Sequence, residues 1–392
     1  MNRETFVVRL IATLTVLALL AGCTPAVTPT PQPAPTLAPS ATPVPTVAPT
    51  ATPLPPTATP LPPTATLLPP TATPDTLKSD LDAILQTSAK AGDFSGAALV
   101  ARNGQVILSQ GYGFADRSKH TPSTPQTKIR ISRLTETFTA LAILLLQERG
   151  KLNVQDKLCK YLSACPDSWK PITLHSLLTA SSGLPDPNTY SQPPDQILAE
   201  AKSQPLDFEP GTQWAWSRTG SIALGKVIET ASGQTYEAFL QQNIFDPLKM
   251  SSTGYDHQQA DLAVGYPDSG NKPADLWDPQ GLYAAGALYS TVEDLYRWDQ
   301  ALYANQLVSA KTLETMLTPY LATGFPSMNS GYGLLVSSTK PRFVEESGGI
   351  LWFSVNVHHY PDEGILVIVL ANQESADVYS IVDSIDHRLG LR

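Results

Sequence analysis

Lys128-Ile129-Arg130-Ile131-Ser132-Arg133-Leu134-Thr135-Glu136-Thr137-Phe138-Thr139-Ala140 leads into a run, Thr137 to Leu146, that is apolar nearly all round. A helix on a surface keeps a polar face, and one without such a face is buried on every side. The stretch therefore predicts a central helix with the rest of the core wrapped around it. Residues three apart on a helix share a face, so Arg133 and Glu136 point the same way from its first turn. Ser132, just before them, has the side chain of an N-cap.

Outward from this helix, toward the N-terminus, lies an amphipathic segment, Leu77 to Ala91. It is followed by two strand-like runs, Gly96 to Ala101 and Gln105 to Ser109, joined by Asn103-Gly104, the commonest type I′ hairpin signal. The middle of the chain reads as helical and loop-rich, punctuated by Pro185, Pro187, Pro193, Pro194, Pro210 and Gly211. Strand patterns return at Gly331 to Val336, Phe353 to His359 and Ile365 to Leu370, before a last helix from about Ala376 to Leu389. Short turns such as Pro361 to Gly364 join strands antiparallel. A sheet assembled from both chain ends around a helical middle is an α+β architecture, not a doubly wound one. The sheet portion is expected over residues 75–131 and 290–392, and the helical portion over 132–289.

Several further motifs fall in a fixed order: Gly111-Tyr112-Gly113, Leu177-Leu178-Thr179 with Ser182-Gly183-Leu184, Phe208-Glu209-Pro210-Gly211, Phe245-Asp246-Pro247-Leu248-Lys249-Met250, and Tyr289-Ser290-Thr291-Val292-Glu293-Asp294-Leu295. Together with the frame around Arg133, their order and spacing resemble the β-lactamase-related serine hydrolases: class C β-lactamases, D,D-peptidases and esterase-like relatives. The resemblance covers essentially the whole folded region and implies the β-lactamase/transpeptidase fold.

It also implies three catalytic elements, and all three are altered here. Ser-x-x-Lys would supply a nucleophilic hydroxyl at a helix N-terminus and a lysine one turn on to take its proton; its place is held by Arg133-Leu134-Thr135-Glu136. A guanidinium stays protonated and cannot attack a carbonyl, and a carboxylate beside it is expected to have a lowered pKa and to be a poor base. Tyr-x-Asn falls at Trp216-Ser217-Arg218, where an indole has no acidic O–H to shuttle a proton. Lys/His-x-Gly, on the strand lining the cleft, falls at Glu346-Ser347-Gly348, where an anion replaces a cation.

Two arginines and two glutamates among the replacements make the altered cleft formally neutral. One expectation is that Arg133, Arg218, Glu136 and Glu346 pair across the former pocket with Trp216 filling the remaining volume, since an unpartnered buried arginine is costly. The other is drift after loss of activity, with the matched signs a coincidence. Ser132 is one residue before the expected nucleophile, and one step on a helix turns a side chain by about 100°, so it is expected to face away from the cleft unless the helix start is rewound. Ser132, Ser217, Ser347, Gly348 and Trp352 are possible cleft-lining residues. Trp214, Trp216 and Trp352 read either as a ligand groove or as filling for vacated space.

Near the N-terminus, Arg3 and Arg9 flank the start of a short apolar stretch, Leu10 to Leu20, that ends in Leu20-Ala21-Gly22-Cys23. The stretch is too short to span a bilayer comfortably and reads as a signal peptide over residues 1–22. The tetrapeptide resembles the bacterial lipobox, which makes Cys23 a lipidated, membrane-anchored N-terminus. Residues 24–74 carry no charge, are dominated by Pro, Thr and Ala, and repeat TATPLPP from Thr50 and again from Thr57. Such a segment has nothing to bury a core with and favours extended polyproline II geometry, a semi-stiff tether over residues 23–74. With Cys23 lipidated, Cys159 and Cys165 remain and are expected to pair in a compartment that permits disulfides.

The chain of 392 residues thus holds one large domain, residues 75–392. Its formal charge of −9 argues against nucleic acid, since phosphate binding needs a basic surface. The six histidines are scattered, with His358 and His359 on opposite sides of a strand, and no metal or cofactor is expected. The leading expectation is an exported lipoprotein at the outer face of a bacterial cell membrane: a pseudoenzyme with a binding or structural role, its ligand a cell-wall peptide or a protein. The competing one is a working esterase, D,D-peptidase or β-lactamase with a displaced nucleophile such as Ser132.

Overall fold

A computed structural model of the chain describes residues 74–187, 191–275, 278–350 and 352–392. The signal segment, Cys23 and the tether lie outside the described residues, apart from Pro74, with which the first helix begins.

Eight antiparallel strands form the main sheet. Gln105–Tyr112 lies at one edge, followed by Gly96–Arg102, Ile365–Ala371, Phe353–Tyr360, Val344–Ile350, Leu335–Ser337, Met328–Ser330 and Leu321–Ala322. The two chain ends meet inside it, with Gly96 opposite Ala371 and Arg102 opposite Ile365. The hairpin at Asn103-Gly104 has both residues in the left-handed region, at φ +50° and +72°, as a type I′ turn requires.

Period-two alternation splits the strands between two cores. Ala98, Val100, Val367, Val369 and Tyr360 pack toward the first helix, Pro74–Ala91, and the last, Val378–Leu389. Ala97, Leu99, Val355, Val357 and Ile368 pack the other way, into the core around the central helix, Thr135–Glu148. That helix is buried from Thr137 through Leu146, the enclosure its uniform hydropathy predicts. The architecture is the α+β antiparallel arrangement expected, with helices on both faces of the sheet.

Two local expectations change. The single strand expected from Gly331 to Val336 is two short strands, Met328–Ser330 and Leu335–Ser337, with a turn between. Gly333 in that turn sits at φ +72°, and a Cβ there would fall 2.6 Å from the Glu136 carbonyl, so the turn is pressed against the central helix. Ser132 is not an N-cap: it is the first residue of a 3-10 turn, Ser132–Leu134, and the N-cap position is Ile131. Its hydroxyl has no hydrogen-bond partner among the described residues.

Cys159 and Cys165 are bonded to each other, with Cα atoms 5.4 Å apart. Among the described residues, no helix is long and apolar enough to cross a membrane.

Candidate active-site pocket

Three segments far apart in sequence converge on one pocket. The 3-10 turn and first turn of the central helix bring Arg133, Glu136 and Thr137. The segment before helix Arg218–Ser232, with that helix's first turn, brings Trp214, Trp216, Ser217 and Ser221. Strand Val344–Ile350 brings Glu346 and Ser347. The three stretches at the family's motif positions do meet, as the resemblance implies.

Glycine explains how the strand approaches so closely. A Cβ on Gly348 would fall 2.8 Å from Arg133 Cβ and 3.1 Å from its Cγ and Cδ. The strand therefore crosses directly over Arg133, and only a residue without a side chain fits.

Arg133, Glu136 and Trp216 interlock. The Trp216 indole Nε1–H donates to Glu136 Oε1 at 2.7 Å, and the Ser221 hydroxyl donates to the same oxygen at 2.5 Å. Arg133 Nε lies 3.7 Å from Glu136 Oε2, and the guanidinium sits 5.3 Å over the Trp216 ring. What remains open is a cavity of about 50 Å³, room for about one or two waters.

The Glu136 pKa is raised, contrary to the lowering expected from its arginine neighbour. Burial is the largest cause, exceeding the opposing pull of Arg133 and of the hydrogen bonds from Ser221 and Trp216. The Arg133 charge still pulls the pKa down; the loss of hydration raises it by more.

Arg218 does not join the cluster, so the four-residue pairing is half right. Its side chain is fully buried on the far side of the helix start. There it bonds to the Pro187 carbonyl, with Nε 3.7 Å from Asp186 Oδ1. Asp186 also accepts from the backbone N–H groups of Arg218 and Thr219, at 3.2 and 3.0 Å. Ser217 caps this helix, its hydroxyl accepting from Gly220 N at 3.1 Å. Asp186 was missed by the sequence reading, although it stands between the two prolines noted as punctuation.

Glu346 finds no arginine either. Burial pushes its carboxyl up to about 8 and the Asp299 charge adds to the rise, while the nearby Thr137 side chain opposes it. At neutral pH it is largely protonated. Among the side chains at the motif positions, charge balance therefore rests on a proton on Glu346 and on the Arg133–Glu136 contact, without Arg218.

Ser347 borders the pocket, but its hydroxyl donates to Glu345 at 2.6 Å. Glu345 in turn faces His358 Nε2 at 3.7 Å, and His358 Nδ1 lies 2.8 Å from Asp386 of the last helix. His359 points the opposite way, to Asp299 at 2.6 Å. Ser132 and Trp352, named as possible cleft-lining residues, line a different cavity. Ser132 does face away from the altered motifs, because its left-handed backbone, φ +50°, turns the side chain from the face that carries Arg133. Ser221 was also missed; its only sequence signal was a hydroxyl four residues after Ser217, one helical turn into the same pocket.

The geometry offers no hydroxyl-and-amine couple at the motif positions. Among the described residues, no group of three or more His, Cys, Asp or Glu side chains is placed to hold a metal.

The β-lactamase family model matches residues 81–390. Penicillin-binding protein 4* of Bacillus subtilis is 28% identical over 346 residues, covering 80% of this chain and 76% of that protein. Among solved structures, the octameric penicillin-binding protein homologue of Pyrococcus abyssi superposes with a TM-score of 0.72 at 27% identity, covering 80% of this chain and 77% of that one. FmtA of Staphylococcus aureus gives 0.70 at 25% identity, covering 80% and 90%.

Proposed function

Since the chain belongs to the β-lactamase family, we propose that it is a member in which the scaffold persists without acyl-enzyme chemistry: a pseudoenzyme tethered at the cell envelope, with a recognition role. The observation that carries this reading is the Arg133–Glu136–Trp216 interlock. It occupies the ground where a nucleophile, its base and a bound carbonyl would have to meet, and it leaves about 50 Å³ open. A buried carboxyl held by two donors and a guanidinium supplies no nucleophile, and every polar group at the three motif positions is changed.

The recognition role draws on the pocket rim. Trp214 borders the pocket and packs edge-on to Phe325, with ring centroids 5.5 Å apart. Phe325 is 54% exposed. A cell-wall peptide or a protein segment laid over the filled pocket would meet these rings first. Lipid on Cys23 would supply the anchor; the envelope location draws on relatives named penicillin-binding proteins, and the Cys159–Cys165 bond suits an oxidising compartment.

Ser221, 2.5 Å from a buried carboxyl, favours one second reading: a hydrolase in which Glu136 takes the Ser221 proton. One experiment separates the two. The purified chain is treated with a fluorescent penicillin and with a fluorophosphonate, and its intact mass is measured. No covalent adduct is expected. An adduct mapping to Ser221 establishes the hydrolase, and one at any other serine equally ends the pseudoenzyme reading. Titration with muropeptides, read in wild type and in Trp214→Ala, then tests the recognition role; no binding in either leaves a structural domain.

A further inference from the structure

Strand Val344–Ile350, which borders the pocket, is tied to the last helix through a buried imidazole. His358 stands directly opposite Glu345 in the antiparallel register of Val344–Ile350 with Phe353–Tyr360. Its side chain is 3% exposed and lies between two carboxylates, with Nδ1 2.8 Å from Asp386 Oδ2 and Nε2 3.7 Å from Glu345 Oε2. The second distance is that of an ion pair, too long for a hydrogen bond. A neutral imidazole carries one N–H, so a ring that turns both nitrogens to carboxylates is suited only to its protonated form.

Each neighbouring element contributes to the surroundings of the ring. The last helix supplies Asp386, whose Oδ2 also accepts from the Tyr360 hydroxyl at 2.6 Å. Arg392, beyond that helix, bonds to Asp383, has its Nε 3.8 Å from Asp386, and lies 4.7 Å over the Phe343 ring. Phe343 packs on the imidazole, with ring centroids 4.8 Å apart. Strand Ile365–Ala371 places Val367 opposite His358 and carries no charge. Glu345, Asp386 and Asp383 outnumber Arg392, so the proton on the ring supplies charge that the cluster otherwise lacks.

Burial is the largest single influence on His358 and works against its charge, but Asp386 and Glu345 together outweigh it and hold the pKa above the ordinary 6.5. Burial is also the largest influence on Glu345 and raises its pKa; His358, Ser347 and Arg392 together lower it by more, to below the ordinary 4.5. His358 therefore stabilises the fold in full below 6.5, and that contribution is lost as pH rises through the folded value. Glu345 contributes in full above 4.5 and loses its share as pH falls through its own folded value. Between 4.5 and 6.5 the arrangement is tightest. When the ring gives up its proton, Nδ1 keeps its hydrogen on the shorter contact, to Asp386, and Nε2 is left with a lone pair facing the Glu345 carboxylate. Attraction turns to repulsion. Ser347, whose hydroxyl donates to Glu345 Oε1 at 2.6 Å, borders the pocket.

We propose that His358 is a proton-operated latch on the pocket wall: protonated, it holds Glu345 and keeps the Ser347 hydroxyl engaged there; deprotonated, it releases Glu345 and frees that hydroxyl for a ligand in the pocket. His358 acts only through Glu345 and is a positioning residue. The latch works in the same way whether the pocket binds or catalyses, so it and the functional reading can fail separately.

The test is an NMR pH titration of the isotope-labelled full-length chain, following the His358 ring together with the Ser347 amide and Cβ. The two residues should move with one shared midpoint above 6.5. Glu345→Gln removes one facing carboxylate and should lower the His358 midpoint by about one pH unit. His358→Gln should remove the shared transition from Ser347. Glu346, next to Ser347, also ionises in this range, so each titration is repeated with Glu346→Gln, where the shared midpoint should persist. Thermal unfolding reports whether each variant is folded, and the titration of the otherwise unaltered chain decides the matter if one is not. A His358 midpoint at or below 6.5, a Ser347 signal that does not follow the ring in the Glu346→Gln chain, or an unchanged His358 midpoint in Glu345→Gln overturns the proposal. So does a Ser347 transition that survives when His358→Gln and Glu346→Gln are combined.

Discussion

Trp216 and Glu136, 80 residues apart in sequence, are joined by a 2.7 Å hydrogen bond from indole to carboxyl. The bond ties the segment leading into helix Arg218–Ser232 to the start of the central helix, across the position where the family's chemistry takes place. Ser221 and Arg133 reach the same carboxyl, so one side chain gathers three others within the pocket.

That bond predicts energetic coupling. Trp216→Phe and Glu136→Leu are each expected to cost about 1–2 kcal/mol of unfolding free energy, because each leaves a buried polar group short of a partner. In the double variant the costs should fall short of their sum by about 1 kcal/mol, measured by denaturant unfolding of all four proteins. Strict additivity would mean that the two side chains do not stabilise each other.

Restoring the nucleophile and the lysine alone should fail. Arg133→Ser with Glu136→Lys leaves Trp216, Arg218 and Glu346 in place, so no proton shuttle and no cation on the strand are recovered. Hydrolysis of an activated ester such as p-nitrophenyl acetate should stay at the wild-type background. Turnover clearly above that background would show that the other two elements matter less than argued.

Glu346 should make stability depend on pH. Its carboxyl, pushed up to about 8 when folded, ionises near the ordinary value of 4.5 when unfolded. Below the lower value both states hold the proton and the residue costs nothing. As pH rises from 4.5 to 8 only the unfolded chain gives the proton up, and stability falls by up to about 1.4 kcal/mol per pH unit, levelling off above 8. The wild type should therefore lose ground to Glu346→Gln across that window; parallel stability curves for the two proteins would contradict the assignment.

The close passage of the strand over Arg133 is testable with one methyl group. Gly348→Ala places a Cβ 2.8 Å from Arg133 Cβ, at the rigid end of that side chain, and should cost about 1–3 kcal/mol. Gly349→Ala is the control, since its Cβ would meet nothing nearer than the Phe353 carbonyl at 3.5 Å. Equal effects of the two substitutions would remove the steric argument.

Asp186 should matter more than its sequence context suggests. It accepts from two backbone N–H groups at the start of helix Arg218–Ser232 and faces the buried Arg218 guanidinium. Asp186→Ala is expected to cost about 2–4 kcal/mol, read from the thermal midpoint and denaturant curves. A loss under about 0.5 kcal/mol would place the partners of Arg218 elsewhere.

The sequence by itself determined the layers of the fold and the positions of the altered motifs. A run without a polar face can only be a central helix, Asn103-Gly104 can only turn tightly, and runs of β-branched residues at both ends pair into one sheet. These are local properties, carried by the residues in order. Which side chains stand at the motif positions was equally legible, because residue identity needs no coordinates.

Only the tertiary structure decided who meets whom. Whether Arg218 turned to Glu346 or to Asp186 depended on which side of a helix start it emerged from, set by the Ser217 cap and the proline-flanked loop that carries Asp186. Whether Glu136 had its pKa lowered by Arg133 or raised by burial depended on how much water the surrounding elements exclude. Ser132, with left-handed backbone, came to line a separate cavity. Side-chain partnership and desolvation arise from segments distant along the chain, and a linear reading sees charge and spacing but not the low-dielectric surroundings that decide between them.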